Sequence, residues 1–305
     1  MTTPIDPTNA TSAGFNRRAF VGLSAGATAY ASTIAAALAA GEDFGKPHPP
    51  VVAENDPAIA TGRPQLHDGT RTIDSYYASP RDARPSTPAV VVVQHIWGID
   101  AQIRDVVRRL AKEGYIAIAP DLYTGLGAPN GDGLSDYTSF RPIAQKLSDA
   151  QVDADLASGA RFIRTGAGGR PQKIGVMGFC SGGAIALRQA VDNAAVFGAA
   201  AIFYGKVRYD TSGSNAGAIT PIALAYADEI GVPLVGSWGA RDTSILSADV
   251  MALDARLAAL KKPHDIKVYD EAGHAFFDDT RASYVAAPAA DAWTRTLAWF
   301  AAHLR

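Results

Sequence analysis

The stretch "KIGVMGFCSGGAIALRQAV", residues 173–191, decides the fold. Its first half is a short apolar run of the kind that suits a strand buried on both faces, and its second half, from Gly182 onward, reads as a helix. Between them lies Cys180, the one cysteine of the chain, with Gly178 and Gly182 two residues away on either side. That spacing is expected when a nucleophile is held on a sharp strand-to-helix turn, because neighbours without a Cβ let strand and helix approach closely. The turn also aims the first amides of the helix at the site. Their partial positive charge favours a thiolate and a developing oxyanion.

Outward from this unit the pattern repeats. Short apolar runs occur at "AVVVVQ" (89–94), "YIAIA" (115–119), "KIGVMG" (173–178), "AAAIFY" (199–204), "VPLVGSW" (232–238) and "DIKVYD" (265–270), each predicting a strand. Helical spacing falls between them: Ile103, Val107 and Leu110 before a stop at Gly114, then Val250, Leu253, Leu257 and Leu260 before Pro263, then Trp293, Leu297, Phe300 and Leu304. These stripes are expected to pack into the core. Alternation of this kind predicts an α/β fold, a mostly parallel sheet with helices on both faces and right-handed crossovers. Ligand sites of such sheets gather beyond the carboxyl ends of the strands, where Cys180 lies. The irregular segment "TGLGAPNGDGLSDYTSFRP" (124–142) is a candidate cover for that rim.

The chain has 305 residues, 48% of them hydrophobic, enough for one large domain. Its 28 Lys+Arg balance 30 Asp+Glu without a basic cluster, which excludes an electrostatic footprint for nucleic acid and leaves a small molecule as the expected partner. The N-terminus differs from the rest. "FNRRAFVG" precedes the nearly uncharged "LSAGATAYASTIAAALAA", and the paired Arg17 and Arg18 resemble a twin-arginine export motif. The predicted organisation is an export signal over 1–40, a Pro-rich linker or irregular lead-in over 41–70 and a catalytic domain over 71–305. A chain so built engages the twin-arginine machinery, becomes periplasmic or secreted, and has no stable membrane association once cleaved. A lone cysteine there forms no internal disulfide.

A cysteine nucleophile needs a base and an orienting acid. "VGSWGARDTSI" places Asp242 just after a strand, and "VYDEAGHAFF" places His274 just after the next. The chain order nucleophile, acid, histidine is that of the α/β-hydrolases, and all three residues converge on one rim. His264 precedes its strand and His303 lies on the terminal helix, so His274 is the candidate base. Asp270 and Asp278 compete with Asp242 for the acid role. No metal site and no cofactor are expected, since no H-x-x-x-H, C-x-x-C or carboxylate cluster has usable spacing.

Together "VVVQHIWGID", "LAKEGYIAIAPDLY", "GFCSGG", the Asp242 loop and "YDEAGHAF", in order and spacing over roughly residues 70–303, closely resemble the dienelactone hydrolase family, the cysteine branch of the α/β-hydrolases. The resemblance implies an α/β-hydrolase sheet, a Cys180–His274–Asp242 triad and an oxyanion hole from the backbone amides of Ile96 and Ser181. It implies hydrolysis of an ester or lactone through an acyl-enzyme. Two positions depart from the family. His95 stands where dienelactone-opening members carry a glutamate that controls the thiol, and is expected to modulate the pocket, hydrogen-bonding the sulfur in favour of the thiolate or merely lining the wall. Asp278 stands where those members carry an arginine that grips a substrate carboxylate, with Arg141 in the long loop as a different source of a cation. Dienelactone itself is therefore not the expected substrate.

Two alternatives remain at this level. A serine esterase would use Ser181, although centring the turn on it puts Phe179 where the first glycine is needed. A thiol sensor or ligand-binding protein on the same fold would use Cys180 without hydrolysis, and would have no need of Asp242 and His274.

Overall fold

In chain order the strands are β1 (Ile59–Gly62), β2 (Leu66–His67), β3 (Thr72–Ile73), β4 (Ser75–Pro80), β5 (Ala89–Val93), β6 (Ile116–Pro120), β7 (Ile174–Phe179), β8 (Ala199–Phe203), β9 (Leu234–Gly239) and β10 (His264–Tyr269). The computed structural model describes residues 48–166, 171, 173–207 and 224–305. The export segment expected over 1–40 lies outside the described residues, as do residues 208–223. The helices are α1 (Ala101–Lys112), the short α2 (Arg141–Ala144), α3 (Asp149–Gly166), α4 (Ser181–Asp192), α5 (Ser247–Ala259) and α6 (Ala286–His303), with a 3₁₀ turn at Leu224–Asp228.

Eight strands form one sheet in the order β1-β4-β6-β5-β7-β8-β9-β10, and from β6 to β10 every pairing is parallel. Each of the six predicted strands is present within a residue or two of its expected ends. β5, β6, β7 and β8 are buried along their whole length, as runs without a polar side chain require when helices cover both faces. α1 begins where Asp100 accepts the Ile103 amide and ends at Gly114, which takes φ +89°.

The part of the sheet that strand periodicity did not foretell is its first edge. Within 41–70, expected as a linker or irregular lead-in, residues 59–62 are a sheet strand: β1 pairs antiparallel with β4 in the register Ile59↔Pro80, and β4 pairs antiparallel with β6. "SYYASP" carries serines at positions that the fold buries on both faces, Ser75 at 5% and Ser79 at 6% exposure, so its polarity hid the strand. The lead-in is also tied down upstream, where the Val51 and Val52 amides donate to the Asp105 carboxylate on α1. No described helix is long and apolar enough to cross a membrane.

Candidate active site

The β7–α4 turn needs its glycines for steric reasons that the structure makes explicit. A Cβ on Gly178 would run into the Gly182 carbonyl, and one on Gly182 into the Val93 and Gln94 carbonyls at the end of β5. Between them Cys180 adopts φ +54°, a conformation that side-chain-bearing residues rarely accept. Its amide is tied to the Phe203 carbonyl at 3.0 Å, and its carbonyl accepts from Gly183 and Ala184 in the first turn of α4. The strained residue is thus fixed on both sides, with its sulfur partly buried at the carboxyl edge of the sheet.

Two further strand-end loops meet this turn. Gly239, at the end of β9, lies so close to the Ala272 carbonyl that a Cβ there would collide with it, and the Arg241 amide donates to that carbonyl at 2.9 Å. The β9 and β10 loops are therefore laced together, which sets Asp242 beside His274. His274 Nε2 lies 3.1 Å from Cys180 Sγ, and its Nδ1 lies 2.6 Å from Asp242 Oδ2. The other carboxylate oxygen of Asp242 accepts from the Ser244 amide, the Ser244 hydroxyl and the Ile245 amide. With both oxygens engaged, the carboxylate fixes the ring and selects the tautomer that presents Nε2 to the sulfur.

Of the rival acids, Asp270 is exposed and Asp278 pairs with Arg281. Ser181 opens α4 and makes no hydrogen bond to His274 among the described residues; its amide instead helps lower the Cys180 thiol. Ile96, whose amide is the other expected oxyanion donor, sits directly past β5 in the same rim. The Tyr123 hydroxyl donates to the Ile96 carbonyl at 3.1 Å and so holds that loop in place.

The protonation states follow from these contacts. Burial pushes the Cys180 thiol up, but the hydrogen bond and charge of His274, then the His95 charge and the Ser181 amide, outweigh it and bring the thiol below its ordinary value. Burial likewise disfavours a charged His274, yet its bonds to Asp242 and Cys180 push the imidazole up to about 10. A lowered thiol bonded to a raised imidazole shifts the pair toward its thiolate–imidazolium form.

His95 does not hydrogen-bond the sulfur, contrary to one of the two expectations for it. Its Nε2 lies 2.8 Å from Asp100 Oδ1 and its Nδ1 lies 3.9 Å from Asp278 Oδ2, so both ring nitrogens face carboxylates. Burial would discharge this ring, but Asp100 first and Asp278 second hold its pKa above the ordinary value. Its influence on Cys180 is that of a nearby positive charge. Arg141 also departs from expectation: it is exposed and lies over the Tyr137 ring rather than offering a cation to the site.

Four residues of this rim were not read from the sequence as site residues. Asp100 caps α1 and Arg281 bridges it to Asp278, through bonds of 2.9 Å and 2.5 Å. The signal for Arg281 lay in the same "HAFFDDTR" that displays Asp278, three residues on. Tyr123 and Tyr204 carried no signal beyond lying at strand ends. Tyr204 follows β8 with φ +40°, and its ring centroid lies 5.3 Å from that of His274. His95, Asp100 and Asp278 bring ligand-type atoms within 4.8 Å of one another, but both carboxylates are already paired with Arg281.

Comparison with known proteins places the chain in a family. The profile of the Dienelactone hydrolase family matches residues 73–304. A "Putative carboxymethylenebutenolidase" of Salmonella typhimurium is 38% identical over 253 residues, covering 83% of this chain and 91% of the relative. A Bradyrhizobium protein named "Probable 2-oxo-3-(5-oxofuran-2-ylidene)propanoate lactonase" is 30% identical over 218 residues, covering 71% of this chain and 84% of its own. Among solved structures, the "Putative Dienelactone Hydrolase" of Klebsiella pneumoniae superposes with a TM-score of 0.72 at 38% identity, over 80% of this chain and 99% of that one.

Proposed function

Because the chain belongs to the dienelactone hydrolase family, we propose that it hydrolyses a carboxylic ester or lactone with Cys180 as nucleophile, His274 as acid and base, and Asp242 as the group that orients His274. The single observation that carries this reading is the unbroken line from Cys180 Sγ through His274 to Asp242, at 3.1 Å and 2.6 Å, built on a glycine-supported turn. The thiolate attacks the acyl carbon and the carbonyl electron pair moves onto oxygen, facing the amides of Ile96 and Ser181. As the tetrahedral species collapses, the ester C–O bond breaks and the leaving alkoxide takes the proton from His274. A thioester remains on Cys180. Neutral His274 then removes a proton from water, the hydroxide adds to the thioester carbon, and collapse releases the carboxylic acid and restores the thiolate–imidazolium pair.

The same geometry weighs against the alternatives. A serine esterase would direct His274 to Ser181, and His274 instead faces the sulfur. A thiol sensor has no use for Asp242 held by three donors behind the histidine. Replacing Cys180 by Ala is expected to lower kcat on activated short-chain esters by at least about 10³-fold, since removal of a nucleophile leaves only binding and oxyanion stabilisation. Undiminished turnover by that variant overturns the reading. We also propose export through the twin-arginine segment at residues 15–22, which is tested by whether Arg17→Lys with Arg18→Lys keeps the protein in the cytoplasm.

A further inference from the structure

The wall of the site opposite the triad has spent its charges on itself. Arg281 uses all three guanidinium nitrogens: Nη1 on Asp278 Oδ2, Nη2 on Asp100 Oδ2 and the Gly131 carbonyl, and Nε on the Leu134 carbonyl. Its Cζ lies 4.4 Å from the centre of the Trp97 ring. Asp278 gives its other oxygen to the Thr280 amide and hydroxyl, and Asp100 gives its other oxygen to His95 and the Ile103 amide. Arg281 and the His95 ring face two carboxylates, so the guanidinium charge is already matched and the group is closed. It joins the oxyanion loop after β5, the histidine loop after β10 and the long loop through residues 131–134. A carboxylate on a bound substrate would find no unmatched positive charge here and would sit near the Cys180 thiolate.

One polar group beside this wall is uncommitted. Tyr204 is 2% exposed, its ring packs against His274 and Phe276, and its hydroxyl forms no hydrogen bond with the described residues. The residue is held at φ +40°, a conformation costly for a tyrosine and one that persists where the surroundings enforce it. Its backbone is pinned by donation to the Ser237 carbonyl at 2.8 Å. Burial first, then the charges of Asp278 and Cys180, raises the phenol well above its ordinary value, so it stays a hydrogen-bond donor at any pH the fold meets. A phenol that bonds none of the described residues, beside His274 and within the influence of Cys180 and Asp278, gains a partner when a ligand oxygen arrives.

We propose that Tyr204 recognises the substrate, donating to an uncharged oxygen of its acyl part, and that the Arg281 wall makes the enzyme select neutral esters or lactones over carboxylate-bearing ones. This rests on the hydrolase reading above. Three 4-nitrophenyl esters of similar length test it: the methyl succinate, which carries a neutral ester oxygen, the hemisuccinate, which carries a carboxylate, and the pentanoate, which carries neither. Wild-type enzyme is expected to show kcat/KM about 100-fold higher for the methyl succinate than for the hemisuccinate. In Tyr204→Phe the preference for methyl succinate over pentanoate falls about tenfold, chiefly through KM, as loss of one neutral hydrogen bond predicts. In Asp278→Asn the hemisuccinate gains at least tenfold relative to the methyl succinate, because Arg281 then carries unmatched charge. Equal wild-type turnover of methyl succinate and hemisuccinate overturns the inference, and needs no variant to fold. An unchanged methyl succinate to pentanoate ratio in a folded Tyr204→Phe also overturns it. Failure of all three esters, with Cys180→Ala indistinguishable from wild type, overturns instead the hydrolase reading beneath it.

Discussion

The site contains two histidine–aspartate pairs that differ in little but their far side. His274 meets Asp242 at 2.6 Å and His95 meets Asp100 at 2.8 Å, and both carboxylates are buried. Beyond His274, however, stands a sulfur at 3.1 Å, whereas beyond His95 stands a second carboxylate, which Arg281 also holds. A proton moved off His274 has somewhere to go. His95 lies between two carboxylates that hold its pKa above the ordinary value, so its proton is kept in place there. Under the proposed mechanism the same residue pair is a proton carrier in one loop and an electrostatic strut in the other, and the difference lies in what occupies the second nitrogen.

Substituting each pair in turn sharpens this contrast. His274→Ala is expected to reduce kcat by about 10³–10⁴-fold while leaving the unfolding midpoint nearly unchanged, because the ring is partly exposed and carries little of the core. Activity on a short activated ester and a denaturant curve on the same preparation check both halves. Arg281→Ala should reverse the pattern. It strands Asp278 and Asp100 in the interior, a loss of about 3 kcal/mol in unfolding free energy, and it frees the 131–134 loop from the wall. A variant as stable as wild type would mean that the guanidinium is less closely held than its five contacts imply.

Sequence legibility follows the same divide. Cys180, Asp242 and His274 were readable because each sits just after an apolar run, and strand-end loops of a parallel sheet have one place to meet. The steric demand for Gly178 and Gly182 was readable for the same reason, since it is local to one turn. The wall was not. Asp100 is a helix cap whose side chain also reaches across to His95 and Arg281, and Arg281 lies 181 residues further along the chain from it. Nothing in either local pattern announces the partnership. Tyr204 was hidden differently: at the end of an apolar strand an aromatic reads as core, and only its positive φ and idle hydroxyl mark it out. The β1–β4 edge was missed because its buried serines break the apolar run that identifies the other strands.

The smallest expected effect is also the one that tests the strut directly. His95→Gln keeps a polar side chain beside Asp100 but removes the positive charge that helps lower the Cys180 thiol. The thiol falls below its ordinary value in the wild type, so alkylation by iodoacetamide should persist as pH drops beneath the usual thiol range and fade only when the thiolate takes up its proton. In His95→Gln that acid limb moves upward by less than about one pH unit, worth about 1 kcal/mol or less, because His274 supplies the larger share of the lowering. The alkaline limb of turnover behaves otherwise. It reflects loss of the His274 proton, which the bonds to Asp242 and Cys180 hold up to about 10, so activity declines as pH rises through that value in both enzymes. An acid limb that stays fixed in His95→Gln would show that the His95 charge does not reach the sulfur, and would reduce the second pair to packing.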